Sequence, residues 1–165
     1  MLLKKEGVMH LNIDNVIQWK GHIKVITVHQ NGRIQIDEFD NLVMNAAKNA
    51  YAGFLSAGIP VDLTIRYMGV GSSNTAVAAT QTQLVSEQFR QQVTVQAAGS
   101  TGVMVTTTYI SPFNCNAFTT QELAWFAGPL ATVTANSGLM IARVLYSHAK
   151  TSLESITVTR TDTFS

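Results

Sequence analysis

Residues 67–90 read YMGVGSSNTAVAATQTQLVSEQFR. Tyr67 and Met68 end a strand-like run that starts at Leu63, and Gly69-Val70-Gly71 interrupts it. A small polar loop follows, and the stretch closes on Leu84, Glu87 and Arg90. Glycines at 69 and 71 permit a sharp bend, and Ser72-Ser73-Asn74-Thr75 offers backbone amides of the kind that cradle an anion. No Gly-Lys-Ser/Thr follows to hold a phosphate and its metal. The stretch is therefore read as a corner, at which a strand leaves a helix-bearing half and a second set of strands begins.

Downstream of that corner the chain is almost wholly strand-like. Gln91–Ala97 alternates, Gly99–Gly102 turns, and Val103–Ile110 returns as a partner strand. Ser111–Phe118 is an irregular link, and Glu122–Ala127 is a short apolar strand. Leu139–Ser147 is apolar on both alternations, as a strand covered on both faces would be, and Ser155–Phe164 alternates more cleanly. Upstream, His22–His29 and Ile34–Phe39 flank Asn31-Gly32, a strong hairpin signal for a tight I′ turn; Ile34, Ile36 and Phe39 are expected in the core, with Arg33, Gln35 and Asp37 facing out. Asp40 or Asn41 then caps a helix over residues 41–57 with Val43, Ala47, Ala50 and Phe54 along one face. Gly58 and Pro60 stop it. The fold class expected is mainly β: an antiparallel sandwich or jelly-roll-like barrel, with the helix at one edge or end.

Residues 1–20 show no clean period and are set apart as an N-terminal arm preceding a single domain over 21–165. A disordered terminus is the ordinary alternative. Val8, Leu11, Ile13, Val16, Ile17 and Trp19 make the segment more apolar than disorder usually tolerates, so these six are the candidate interface residues of an arm that docks on a neighbouring subunit.

At 165 residues the chain is long enough for one substantial core. Its single cysteine, Cys115, excludes an intrachain disulfide, so folding in a reducing cytosol is expected. A formal charge of +1, with no basic cluster beyond Lys4-Lys5, argues against nucleic acid. No apolar run reaches membrane-span length, and no membrane partner is expected. Charged residues are only 13% of the chain, against about 25% ordinarily. The neutral polar surface that results suits strands and protein contacts.

Composition and spacing point to no reaction. His10, His22, His29, His148 and Cys115 lack metal-ligand spacing, and Gly99-Ser100-Thr101-Gly102 is not a nucleophile elbow. No catalytic, cofactor or metal residue is assigned, and no cofactor is expected. Among the acids, Asp37, Glu38 and Asp40 sit where solvation explains them. Glu87 and Glu122 lie in apolar segments and need cations if buried; Arg90 and Arg143 are the candidates for structural ion pairs.

Three segments together resemble a broad group of tailed-bacteriophage virion proteins. They are Tyr67-Met68-Gly69-Val70-Gly71 with Thr82-Gln83-Leu84, Glu87 and Arg90; Glu122-Leu123-Ala124-Trp125-Phe126; and Leu139–Val144 with Lys150 and Ser155–Thr159. Ala124 departs from the similar segments, which more often have Gly. The resemblance implies a virion component without catalytic residues, made in the host cytoplasm. With the arm, it points to a capsid decoration or cement protein that binds itself as a homotrimer and the major capsid protein or other virion subunits. A tail, collar or baseplate component is the alternative, with a possible receptor role in which Trp19, Trp125, Tyr67 or Tyr109 meets carbohydrate.

Overall fold

The computed structural model describes residues 18–58 and 60–165. Among these the chain forms nine strands and one helix: β1 (Trp19–His29), β2 (Ile34–Val43), α1 (Asn45–Ala57), β3 (Ile65–Gly71), β4 (Glu87–Gln92), β5 (Val95–Ala98), β6 (Val103–Ile110), β7 (Thr120–Ala127), β8 (Leu139–His148) and β9 (Glu154–Phe164). Every pairing is antiparallel, in the order β4-β3-β7-β8-β2-β1-β9-β6-β5. The two ends of that order are consecutive in the chain. Only Val93 and Thr94 separate β4 from β5, and their amides bond Arg66 and Thr107, one on each side. So short a link forces the sheet to curl until its ends meet, giving the mainly β, barrel-like architecture read from the sequence.

The concave side holds the main core. Alternate residues of β1 (Ile23, Val25), β7 (Leu123, Trp125) and β9 (Ile156, Val158) are buried there with Ile65, Val70, Ala142 and Val144. A second cluster, Met44, Leu84, Ala124, Phe126, Ala131 and Met140, lies on the opposite face of β3, β7 and β8. Two loops, 72–86 and 128–138, cover that face. This explains why β8 is apolar on both alternations.

Four local expectations change. First, β2 presents the opposite face over its first half: Ile34 and Ile36 are 61% and 53% exposed, while Phe39, as expected, and Val43 join the core. Val43 is locked in by pairing with Ala142, and a period of two then carries Phe39, Asp37 and Gln35 to the same side. Second, β2 consumes the residues expected to cap the helix, because Asn41 pairs with Gly21 and Leu42 with Arg143. Met44 occupies the cap without a side-chain bond, and the Asn45 amide donates instead to the Ala79 carbonyl, 2.9 Å away. The helix ends as expected at Gly58, in the left-handed conformation. Third, the hairpin turn is not type I′: only Gly32 has positive φ, and the His29 amide bonds the Arg33 carbonyl around three loop residues. Fourth, the strand does not bend at Gly69. It continues as strand to Gly71, with register shifts between Val70 and Gly71 against β4 and between Ile65 and Tyr67 against β7.

Between α1 and β3, Asp62 accepts bonds from the Thr64 amide and the Arg66 guanidinium, both at 2.8 Å. Hydrogen bonds from Thr64 and Arg66 hold its carboxyl well below its ordinary 3.8, at about 2. Because the folded value is depressed, this contribution to stability is complete above the ordinary value and is lost as pH falls through about 2. An NMR titration of the Asp62 carboxyl is expected to find that low midpoint. A midpoint near the ordinary value would mean the two contacts do not persist in solution.

Candidate functional site

The four acids and arginines singled out in the sequence converge on the outer face of β3, β4, β7 and β8. Strand register places them in two adjacent rows. Glu87 and Glu122 flank Gly71, and Arg90 flanks Gly69 across from Ala124 and Arg143. Arg143 donates from Nε to Glu122 Oε2 at 2.8 Å, and both residues are fully buried. Arg90 grips both Glu87 oxygens, at 2.6 and 3.0 Å. A fork-to-fork guanidinium–carboxylate pair combines charge with fixed direction.

Each pair also holds a loop. Glu122 accepts the amides of Ser86 at 2.8 Å and Val85 at 3.2 Å, and Arg143 donates to Thr75 O and Gln81 Oε1, both at 2.9 Å. Thr75, in the Ser72–Thr75 part that suggested an anion cradle, thus turns its carbonyl towards a cation, while the other end of the loop turns the Val85 and Ser86 amides towards the Glu122 anion. Arg90 reaches the other loop through Ser137 O and Oγ at 2.9 Å, while Glu87 accepts the Asn136 amide at 2.6 Å. Asn136, at φ 57°, accepts the Leu84 amide on its side chain and so ties the two loops together. The Arg90 guanidinium also stacks on Phe126, 4.1 Å from the ring centre.

The glycines follow from this crossing of side chains. A Cβ at Gly71 would lie 2.4 Å from Glu122 Oε1 and 2.7 Å from the Ser86 carbonyl, and one at Gly69 would strike Leu84 and Phe126 at 2.9 Å. Gly71→Ala is therefore expected to cost at least the ~1–3 kcal/mol of an overpacked core position. Chemical denaturation measures it, and a variant as stable as the parent would show that Glu122 does not cross Gly71.

A different polar cluster lies inside the curled sheet. Arg160 and Asp162, both fully buried, pair with each other, and Trp19 Nε1 donates to Asp162 Oδ1 at 2.6 Å. Burial pushes the Asp162 carboxyl up, against the pull of Arg160, and lowers the Arg160 guanidinium to about 10, against the pull of Asp162. Among the described residues, Arg160 Nε and Nη1 and Asp162 Oδ2 find no hydrogen-bond partner. The signal for this cluster was in the sequence: Arg160 and Asp162 share the parity of Ile156 and Val158.

Two further groups were not anticipated. Glu154 accepts bonds from the Thr151 amide at 2.8 Å and from His148 at 3.1 Å, and lies 3.1 Å from His29 Nδ1. Burial opposes its ionisation, but these donors outweigh it and hold the carboxyl below its ordinary value. The cluster borders a cleft of about 580 Å³ beside Arg33 and Gln35. Lys150 is buried on three neutral oxygens, of Pro112, Asn116 and Thr151. It braces the loop that carries Cys115, whose thiol burial pushes up, away from nucleophilic use. Among the described residues no three His, Cys, Asp or Glu side chains converge in a geometry for a metal ion, and no helix is long and apolar enough to cross a membrane.

Of the arm candidates, Trp19 belongs to the domain instead. It opens β1 opposite Phe164 and packs on Tyr51 and Phe164. Its indole N–H needs the Asp162 carboxylate, which fixes it in the sheet. His10 and the candidates Val8, Leu11, Ile13, Val16 and Ile17 lie outside the described residues. Of the aromatics considered for carbohydrate, Trp125 is fully buried, Trp19 and Tyr67 are half-buried, and Tyr109 is exposed.

No family model, curated protein or solved structure matches the chain.

Proposed function

We propose that this protein is a structural component of a tailed-phage virion, a decoration or cement protein that binds assembled coat subunits and acts by contact rather than catalysis. The observation that supports this reading is how the buried charge is used. Glu87, Arg90, Glu122 and Arg143 hold the 72–86 and 128–138 loops against the sheet. Charges committed in this way stiffen a surface and are not themselves an open acid–base pair. The phage assignment itself rests on the three resembling segments.

Binding to coat is tested by mixing purified protein with shells that lack it and sedimenting them. Saturation in proportion to coat subunits is the expected result. Copies fixed by a single vertex or tail would favour the tail, collar or baseplate reading, and no co-sedimentation with either shells or tails would reject a virion role. The carbohydrate alternative loses ground, since only Tyr109 of its four aromatics is exposed.

A further inference from the structure

The outer face of the β1–β2 hairpin is apolar at its tip and charged at its base. Val28 opposes Ile34 and Ile26 opposes Ile36; towards the base, Lys24 opposes Glu38 and His22 opposes Asp40. All eight point away from the core, because the alternate residues Ile23, Val25 and Thr27 are the buried ones. Val28, Ile34 and Ile36 are 40–61% exposed, an unusual concentration of β-branched aliphatics on one open sheet face. Beside them β9 adds only the uncharged column Ser155, Thr157, Thr159 and Thr161.

The charges are sorted by strand: the basic groups stand on β1 and the acidic ones on β2, level with each other, with Lys24 Nζ 3.3 Å from Glu38 and His22 Nδ1 2.9 Å from Asp40. We propose that this face docks a second copy of the same chain, through a twofold axis lying between β1 and β2 and parallel to them. A half-turn about that axis lays β1 of each copy over β2 of the other at the same level. Lys24 then falls over the other copy's Glu38, His22 over Asp40, Ile26 over Ile36 and Val28 over Ile34. Each charged row becomes a square of alternating sign, and each aliphatic row meets its like. A twofold axis across the strands would instead set the charged base of one copy on the apolar tip of the other, which leaves buried charge unpaired. Sheets stacked face to face favour such an aligned arrangement, about 10 Å apart. The two superposed strands, about 4.8 Å apart and about ten residues long, offer ~330 Å² per copy. The pair thus buries ~650 Å², the size of a weak, reversible contact whose specificity comes from the matched charges and aliphatic rows.

The contact is independent of the virion reading and compatible with a trimer only if it joins trimers in pairs, so the full chain is expected to sediment with an even number of copies. Sedimentation equilibrium of the full-length protein tests this. I36R should abolish the twofold contact while melting like the parent; should I36R melt lower, I36T, which keeps a β-branched residue, is read in its place. K24E and E38K should each lose the contact, because the Lys24–Glu38 row becomes single-signed in each. An equimolar mixture of the two should regain it, as an acidic row meets a basic one. Loss of an internal Lys24–Glu38 pair alone is not rescued by mixing. A single-chain or three-chain parent, an association unchanged in the Ile36 variant, or a mixture that stays apart overturns the proposal. None of these outcomes bears on coat binding, which is measured separately.

Discussion

Glu122→Ala is expected to destabilise the protein by about 3–5 kcal/mol, the cost of leaving one member of a buried ion pair without its partner. Arg143 would keep the Gln81 side chain and the Thr75 carbonyl, but those are neutral acceptors. The Ser86 and Val85 amides would lose their acceptor at the same time. Arg143→Met should cost a similar amount from the other side. The double variant E122L/R143M separates charge burial from loop anchoring. With no charge left in the site, most of the global stability should return, yet the 72–86 loop would still lack its anchors. Limited proteolysis should then cut within that loop, and the Val85 and Ser86 amides should exchange faster than in the parent. A single variant that melts like the parent would sink the network argument. A double variant with an intact, protected loop would show that packing of Leu84 and Val77 suffices.

The same network marks where sequence reading succeeds and where it stops. That Glu87, Glu122, Arg90 and Arg143 need charged company follows from their apolar neighbours. The identity of each partner does not, because Glu122 meets Arg143 only through the register of β7 on β8. The strands themselves were legible from alternation and turn residues; β6 falls where it was expected, at Val103–Ile110. The β2 face was not, because Ile34 and Ile36 on one parity and Phe39 and Val43 on the other compete for the core. Tertiary pairing at Val43 decides between them. Gly69 and Gly71 looked like a bend because close approach and conformational freedom call for the same residue. Only the positions of Glu122, Leu84 and Phe126 reveal that close approach is the reason here.

The inner pair should respond more fully than the outer one to removal of both charges. Asp162→Asn keeps an oxygen for the Trp19 indole but leaves Arg160 as an uncompensated buried cation, and is expected to cost about 3–5 kcal/mol. The double variant R160M/D162N should recover that loss and match or exceed the parent, by up to ~4 kcal/mol, since buried pairs replaced by well-packed groups are often neutral or stabilising. The contrast with Glu122–Arg143 lies in the partners. Arg143 spends its guanidinium on the Thr75 carbonyl and the Gln81 side chain, whereas Arg160 finds no acceptor for Nε and Nη1 among the described residues. pH supplies a second readout. Burial raises the Asp162 carboxyl above its ordinary 3.8, so the folded chain holds that proton more tightly than the unfolded one. Its contribution is therefore complete below the ordinary value and declines as pH rises through the raised one. Urea denaturation across that window should show the decline in the parent and its absence in both D162N and R160M/D162N. If the double variant remains as unstable as D162N, the pair supports the fold through directed bonds and not merely through cancelled charge. The Trp19 indole and the Trp125 ring, which lies 5.5 Å from the Arg160 guanidinium, would then be the groups it orients.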